Sequence, residues 1–374
     1  MQFLSKAPVT ILRRRALLRL DFNTADEWRL EATLPTIKLL QKRATSIVIV
    51  SHRGRPDDLR LKNGHPIKTP EKFSLRRDSQ FLSKALKTKI YFIPHFNFSE
   101  IREQISNSKK GSIFIIENLR FLEGEEFNDP KLGKDLASLA DYYVNDAFAV
   151  SHREASSVVA VTKHLPSYAG LELETELRHL GHLLKSPKHP LVLIFGGGKS
   201  HDKIPVMSSF EKSADYFLVG GGVANTFLKV QGFNIGDSQA DETPSPKVKQ
   251  FIKDDRVILP VDYIQSGKKI LDIGPLSVTH FAAIIAEART VIWNGPFGLI
   301  EKTRYSKGSL GVARAIAKNK KAFSLAGGGE TVMFLKDKKL DTKFSFISTG
   351  GGAMLEFLAG KKLPGIEALK SSRK

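Results

Sequence analysis

The chain has no cysteine. That excludes disulfides, thiolate metal sites, iron–sulfur ligation and thiol nucleophiles, so any catalysis must run without sulfur. No apolar run approaches the roughly eighteen residues needed to span a bilayer, and Met1 to Val9 lacks the apolar core of a signal peptide. A cytoplasmic protein without a membrane partner is expected. Low-complexity sequence is scarce as well: the Thr243 to Pro246 region reads as a loop and the basic Lys370 to Lys374 end as a frayed tail. What remains is an ordinary globular composition, 41% hydrophobic and 26% charged over 374 residues. That is enough chain for two domains, each with its own core.

Acidic residues are also short, 39 against 58 basic ones, for a formal charge of +19. The first hundred residues hold 20 basic and 9 acidic side chains, including Arg13, Arg14, Arg15 and Arg19. Such a chain attracts anions. Three readings compete: nucleic-acid binding, phosphorylated small substrates, and a surface that serves solubility or acidic membranes. A nucleic-acid reader would interleave a basic face with exposed aromatics or carry a reader motif. None is visible, and most phenylalanines sit in apolar runs, so no nucleic-acid partner is expected.

Short β-branched runs alternate with stretches of helical period, the pattern of βα units and parallel sheets. The fold class is α/β, with two domains that are each a mostly parallel, Rossmann-like sheet flanked by helices. Strands are expected at Ala16–Asp21, Ser46–Ser51, Ile90–Ile93, Ser112–Glu117 and Asp141–Asn145, then at Leu191–Phe195, Tyr216–Gly220, Val257–Leu259, Thr290–Trp293, Ala322–Ala326 and Phe344–Ile347. Between the two sets, Leu173, Leu177, Leu180, Leu183 and Leu184 recur at helical spacing until Pro187. The expected division is therefore a first domain over 1–170, an interdomain helix over 171–186, a second domain over 187–358 and a tail over 359–374.

In open parallel sheets, ligands bind beyond the carboxyl ends of the strands. In the first half the residues there are Asp21 and Asn23, His52 and Arg55, Asn118 and Arg120, Asn145 and Asp146, then His152 and Arg153; Arg29 opens a helix after the first strand loop. Guanidinium forks and a histidine around one edge suit a small, multiply anionic ligand, although His52 taken alone is as readily a structural partner. In the second half the strands run into triple glycines at 196–198, 220–222, 327–329 and 350–352. Glycine lets backbone amides at helix N-termini approach phosphate closely, whereas any single triplet is also an ordinary tight turn. The GGGKS segment is not a P-loop, because Leu193 stands where the motif needs glycine, and no dinucleotide fingerprint is present. Lys199 and Lys203, four apart on one helical face, are placed to neutralise phosphoryl groups. Glu330 beside Thr331 puts a carboxylate at a phosphate cradle and suggests Mg²⁺, the competing role being complementation of a helix N-terminus.

Together the motifs DFN, SHRGRP, ENLRF, VNDAF with SHR, GGGKSHDK, GGGVANTF, LDIGP, WNGP, GGGET and STGGGA, in this order and almost end to end, resemble the phosphoglycerate kinase family. The resemblance implies phosphoryl transfer between ATP and 3-phosphoglycerate in a hinged, monomeric, cytoplasmic enzyme. It implies a triose site made of Asp21, Asn23, Arg29, His52, Arg55, Arg120 and Arg153. For the nucleotide it implies Lys199, Lys203, Gly220, Gly221, Asn294, Glu301, Gly328, Gly329, Glu330 and Thr331, with adenine near Gly220 and Gly221. Arg29 and Lys199 would be catalytic, Gly351 and Gly352 would form the helix N-terminus that meets the transferring group, and Glu330 would take the magnesium position. The tail is implied to pack on the first domain. Four departures stand out: a short loop over Thr24 to Trp28; Glu154, Ala155 and Ser156 where the family carries a further histidine; a short segment before LDIGP, expected to leave the nucleotide domain's edge incomplete; and Glu330 in place of aspartate, expected to shift metal preference. The alternative is a relative that binds nucleotide without turnover, against which the retained Arg29 and Lys199 argue.

Overall fold

The computed structural model of the chain describes residues 1–24, 27–56 and 71–372. Two compact units emerge, one formed by Met1–Arg178 with Lys362–Lys374 and the other by His179–Lys361.

Unit 1 is built on seven strands: β1 (Gln2–Phe3), β2 (Ala16–Arg19), β3 (Ser46–Val50), β4 (Ile90–Ile93), β5 (Ser112–Ile116), β6 (Tyr142–Asn145) and β7 (Ser167–Ala169). They lie in the order β1-β7-β6-β2-β3-β5-β4, and every pairing is parallel. The central strands β2, β3 and β6 are buried along their whole length, as continuous apolar runs covered on both faces should be. Their side chains meet helix residues such as Ile37, Leu40 and Leu82 in one core. β1 and β7 escape sequence reading because two or three residues carry no period, and they are fixed by pairing, β7 with β6 and β1 with β7 at the sheet's edge.

Unit 2 holds β8 (Leu191–Phe195), β9 (Tyr216–Val219), β10 (Val257–Ile258), β11 (Tyr263–Ser266), β12 (Lys269–Ile273), β13 (Thr290–Asn294), β14 (Phe323–Gly327) and β15 (Phe346–Ile347). Six of them form a second parallel sheet, in the order β10-β9-β8-β13-β14-β15. Trp293 on β13 is fully buried at its centre, stacked with Phe344 and tilted against Phe297. β11 and β12 form a separate antiparallel hairpin with a bulge at Ile264/Gln265. The short segment before LDIGP folds as this hairpin, which stands apart from the six-stranded sheet.

The leucine-spaced segment is a helix over Leu171–Lys185, and the division between the units falls within it, after Arg178. The tail is not frayed at its start: Lys370 lies in the last turn of a helix over Pro364–Ser371, Nζ bonded to Glu367 at 2.7 Å. Arg373 and Lys374 lie outside the described residues, as do Ala25 and Asp26 of the short loop.

Candidate active site

Parallel register puts the carboxyl ends of the adjacent strands β6, β2, β3 and β5 on one edge of unit 1. The residues that follow those strands build a cavity of about 360 Å³, walled by Arg19, His52, Arg120, Arg153, Glu125 and Glu126 among others. Three predicted residues, His52, Arg120 and Arg153, meet there. Burial, reinforced by Arg19, Arg120, Arg153 and Arg53, holds the His52 imidazole well below its ordinary pKa. Burial and the neighbouring Arg153 bring the Arg120 guanidinium down to about 10, partly offset by Glu126, whose Oε1 is 3.3 Å from Arg120 Nε. Arg120 therefore stays cationic at neutral pH while the ring of His52 does not.

Asp21, Asn23, Arg29 and Arg55 do not line this cavity. Asp21 Oδ1 accepts the Asn23 N–H at 3.0 Å, and Asn23 Oδ1 accepts the Gly54 N–H at 2.8 Å, which ties the DFN loop to SHRGRP. Arg29 lies in the helix Glu27–Ala32, its guanidinium 5.6 Å from the Trp28 ring centroid and its Nε buried with no partner among the described residues. Arg55 is exposed. Other polar residues at the strand ends are scaffold. Asn118 donates to the carbonyls of Arg53 and Phe73 and accepts from the Arg120 N–H. Asn145 Oδ1 accepts from Ala147 N–H. Asp146 Oδ1 accepts from Glu172 and Leu173 N–H, which caps the long helix. Arg53, in the middle of SHRGRP, is committed to Asp78 through both Nε and Nη2.

In unit 2 the glycine turns converge. A cavity of about 750 Å³ is lined by Lys199, Lys203, Gly221, Asn294, Glu301, Gly328, Gly329, Glu330, Thr331, Gly351 and Gly352. Gly220 sits behind this wall, with the Phe297 ring so close that a Cβ would lie 2.1 Å from it. Not every glycine serves a ligand. A Cβ on Gly295, at φ +95°, would come within 2.3 Å of the Gly196 carbonyl oxygen, so the WNGP and GGGKS turns need glycine to touch each other. Gly329 and Gly352 instead face open space at the starts of the helices Gly329–Asp337 and Gly352–Leu358. An anion can approach the backbone there closely.

The side chains divide the work. Asn294 Nδ2 donates to the Gly327 carbonyl at 2.9 Å, leaving Oδ1 as an acceptor, while Thr331 Oγ1 accepts from Gly295 N–H at 2.8 Å, leaving its hydroxyl proton to donate. Asp241 accepts from the backbone N–H of Ser200 and His201, which fixes the turn that carries Lys199. Lys203 is buried; desolvation lowers its pKa against the pull of Asp202 and Glu330. Among the described residues no three carboxylates or imidazoles gather as a metal site. Of the carboxylates on this wall, Glu330 at the start of the helix Gly329–Asp337 fits a magnesium ion that keeps most of its shell on phosphates and water. Sequence reasoning did not assign Arg19, Gln239, Phe297 or Asp272 to these walls. Asp272 lies within LDIGP; it is buried, accepts the Gly308 N–H at 2.7 Å and is pushed up to about 6 by burial.

Comparison with known proteins agrees on one family. Residues 8–361 match the profile of the family described as phosphoglycerate kinase. The chain is 38% identical to phosphoglycerate kinase of Dictyoglomus turgidum, with 96% of each covered, and 36% identical to that of Thermosipho africanus, covering 100% of this chain and 99% of the other. Among solved structures, phosphoglycerate kinase from Coxiella burnetii superposes with a TM-score of 0.81 at 32% identity over 98% of both chains. The enzyme from Pyrococcus horikoshii gives 0.84 at 29% identity, over 99% of this chain and 98% of that one. By sequence over nearly its whole length and by fold, the chain belongs to the phosphoglycerate kinase family and is a kinase of that class, EC 2.7.2.3.

Proposed function

We propose that the chain catalyses 1,3-bisphosphoglycerate + ADP = 3-phosphoglycerate + ATP, in glycolysis and gluconeogenesis, as a cytoplasmic monomer. The observation that carries the reading is the pairing of an arginine-walled cavity at the strand ends of one parallel sheet with a glycine- and lysine-walled cavity at those of the other. His52, Arg120 and Arg153 bind the triose anion, joined by Asp21, Asn23, Arg29 and Arg55. The glycine turns, Lys199, Lys203, Asn294, Glu301 and Thr331 hold the nucleotide, and Glu330 holds magnesium. When bound, magnesium neutralises charge on the nucleotide phosphates. Transfer needs in-line placement and electrostatic stabilisation, with no protein nucleophile, so the substrate carboxylate attacks the phosphoryl group directly. Arg29, Lys199 and the amides of Gly351 and Gly352 stabilise the transferring group. Because the triose domain, 1–170, and the nucleotide domain, 187–358, carry one half-site each, turnover requires closure about the helix over 171–186, which also keeps water from the reactive phosphate.

The test is a coupled assay of the purified chain with 3-phosphoglycerate, MgATP, the next dehydrogenase and NADH, beside Lys199→Ala. Turnover is expected, with kcat about 10²- to 10³-fold lower in the variant. Nucleotide binding without turnover, in either Mg²⁺ or Mn²⁺, would favour the inactive relative instead.

A further inference from the structure

The unit 1 cavity contains a buried arginine to which the proposed triose site gives no role. Arg19 closes β2 and is 1% exposed. Its Nε donates to Ser157 Oγ at 2.8 Å, Nη1 donates to the Leu20 carbonyl, and Nη2 lies 2.8 Å from His52 Nδ1. Ser157 is itself anchored: its Oγ donates to Glu125 Oε1 at 2.5 Å, its N–H donates to Oε2 at 3.0 Å, and its carbonyl accepts the Tyr143 hydroxyl at 2.7 Å. One chain of hydrogen bonds thus runs from Glu125 through Ser157 and Arg19 to His52.

A guanidinium offers only donors and keeps its proton, so at the Arg19–His52 contact the ring nitrogen must accept. Nδ1 is then bare, and a neutral ring carries its one proton on Nε2. That Nε2 is buried on a ring only 2% exposed and has no hydrogen-bond partner among the described residues, in the wall that Arg120 and Arg153 share. An orphaned buried N–H is costly, which marks it as a donor held ready for an incoming acceptor.

We infer that Arg19 is a positioning residue: it fixes His52 as the Nε2–H tautomer and presents that N–H as a donor to an anionic oxygen of the ligand. The groups facing the ring agree. Arg19, Arg53, Arg120 and Arg153 all oppose an imidazolium, and the nearby carboxylates are occupied, Glu125 by Ser157 and Glu126 by Arg120. Glu154, also in the cavity wall, is exposed. The identity of the ligand rests on the proposed function; the tautomer does not.

The test is a long-range ¹H–¹⁵N spectrum of the full chain labelled at histidine, followed from pH 5.5 to 8, with His52 assigned by the peaks that His52→Gln removes. Nδ1 at the unprotonated shift and Nε2 at the protonated shift are expected throughout, with Nε2–H perturbed on adding 3-phosphoglycerate. An Nδ1–H tautomer, or a ring that titrates near the ordinary 6.5 or so, overturns the inference. Arg19→Met should mix the tautomers and raise KM for 3-phosphoglycerate roughly tenfold, with KM for ATP unchanged, while Arg19→Lys, which keeps a cationic donor, recovers the tautomer. An unaltered tautomer in Arg19→Met also overturns it, and if that variant does not fold the wild-type spectrum decides. Absence of turnover alongside the expected tautomer strikes the functional reading alone.

Discussion

Glu330 lies exposed in the first turn of the helix Gly329–Asp337, at the cavity where Lys203 feels its charge. An aspartate there would hold its carboxylate one methylene closer to the backbone, and magnesium tolerates little departure from octahedral geometry at about 2.1 Å. Glu330→Asp should therefore raise the Mg²⁺:Mn²⁺ ratio of kcat/KM several-fold, read in the coupled assay with each ion. An equal change with both ions would remove Glu330 from the metal. At this scale, what the sequence makes legible follows chemistry that is local in the chain. The glycine turns of unit 2 announce themselves because they follow their strands directly in the chain, Gly196, Gly220 and Gly328 each coming one position after β8, β9 and β14, with Lys199 four positions after β8. Arg19 does not, since it is the last strand residue and looks like one more member of a basic run until the fold turns it toward His52.

The long helix Leu171–Lys185 starts where the sequence puts it and ends one residue short, but what holds its start is not local in the chain. Leucine spacing marks the body. The cap is Asp146, twenty-six residues upstream of Glu172, and no local signal could supply it. Burial, offset by Thr36 and by the N–H groups of Leu173 and Glu172, pushes the Asp146 carboxyl up to about 6, above an unfolded value of about 3.9. The folded state then holds the proton more tightly, so this contribution to stability is complete below about pH 4 and is lost as pH rises through about 6. Asp146→Asn keeps an acceptor for the helix and cannot titrate. Denaturant unfolding of the Asn variant should show a flatter dependence between pH 4 and 6 than wild type, and Asp146→Ala, which cannot titrate either, should lie about 1–2 kcal/mol below Asp146→Asn at every pH. An unchanged slope in the Asn variant would show that the carboxyl is not perturbed. Pattern reading misses β1 and β7 because their partners lie outside any short window, Gln2 facing Tyr168, and misses the local β11–β12 hairpin because its half-exposed strands carry no clean alternation.

Across the whole molecule, the chain leaves unit 1 after Arg178, builds unit 2 and returns at Lys362. The returning helix Pro364–Ser371 buries Leu363, Ile366 and Leu369 to within 3% exposure, and its Gly365 N–H donates to the Ser151 carbonyl at 2.9 Å. A Cβ on Gly365 would fall 2.7 Å from Val158, so the helix lies close against the strand-end turns. Deleting residues 362–374 should destabilise unit 1 by several kcal/mol, on the scale of about 1.5–3 kcal/mol per buried aliphatic side chain. The two tryptophans, Trp28 and Trp293, report one unit each. The Trp28 transition should move to lower denaturant while that of Trp293 stays in place, and a joint shift would mean that the tail does not belong energetically to unit 1.

That return also sets an order of assembly during translation. Unit 2 is one unbroken stretch of chain and has everything it needs once residue 361 has left the ribosome, whereas unit 1, whose synthesis starts first, lacks a piece of its core until the segment after it emerges. The arginine-rich half of the chain, with its strands already made, must wait through the synthesis of an entire second unit before it can close, so the first unit to be synthesised is the last to be finished.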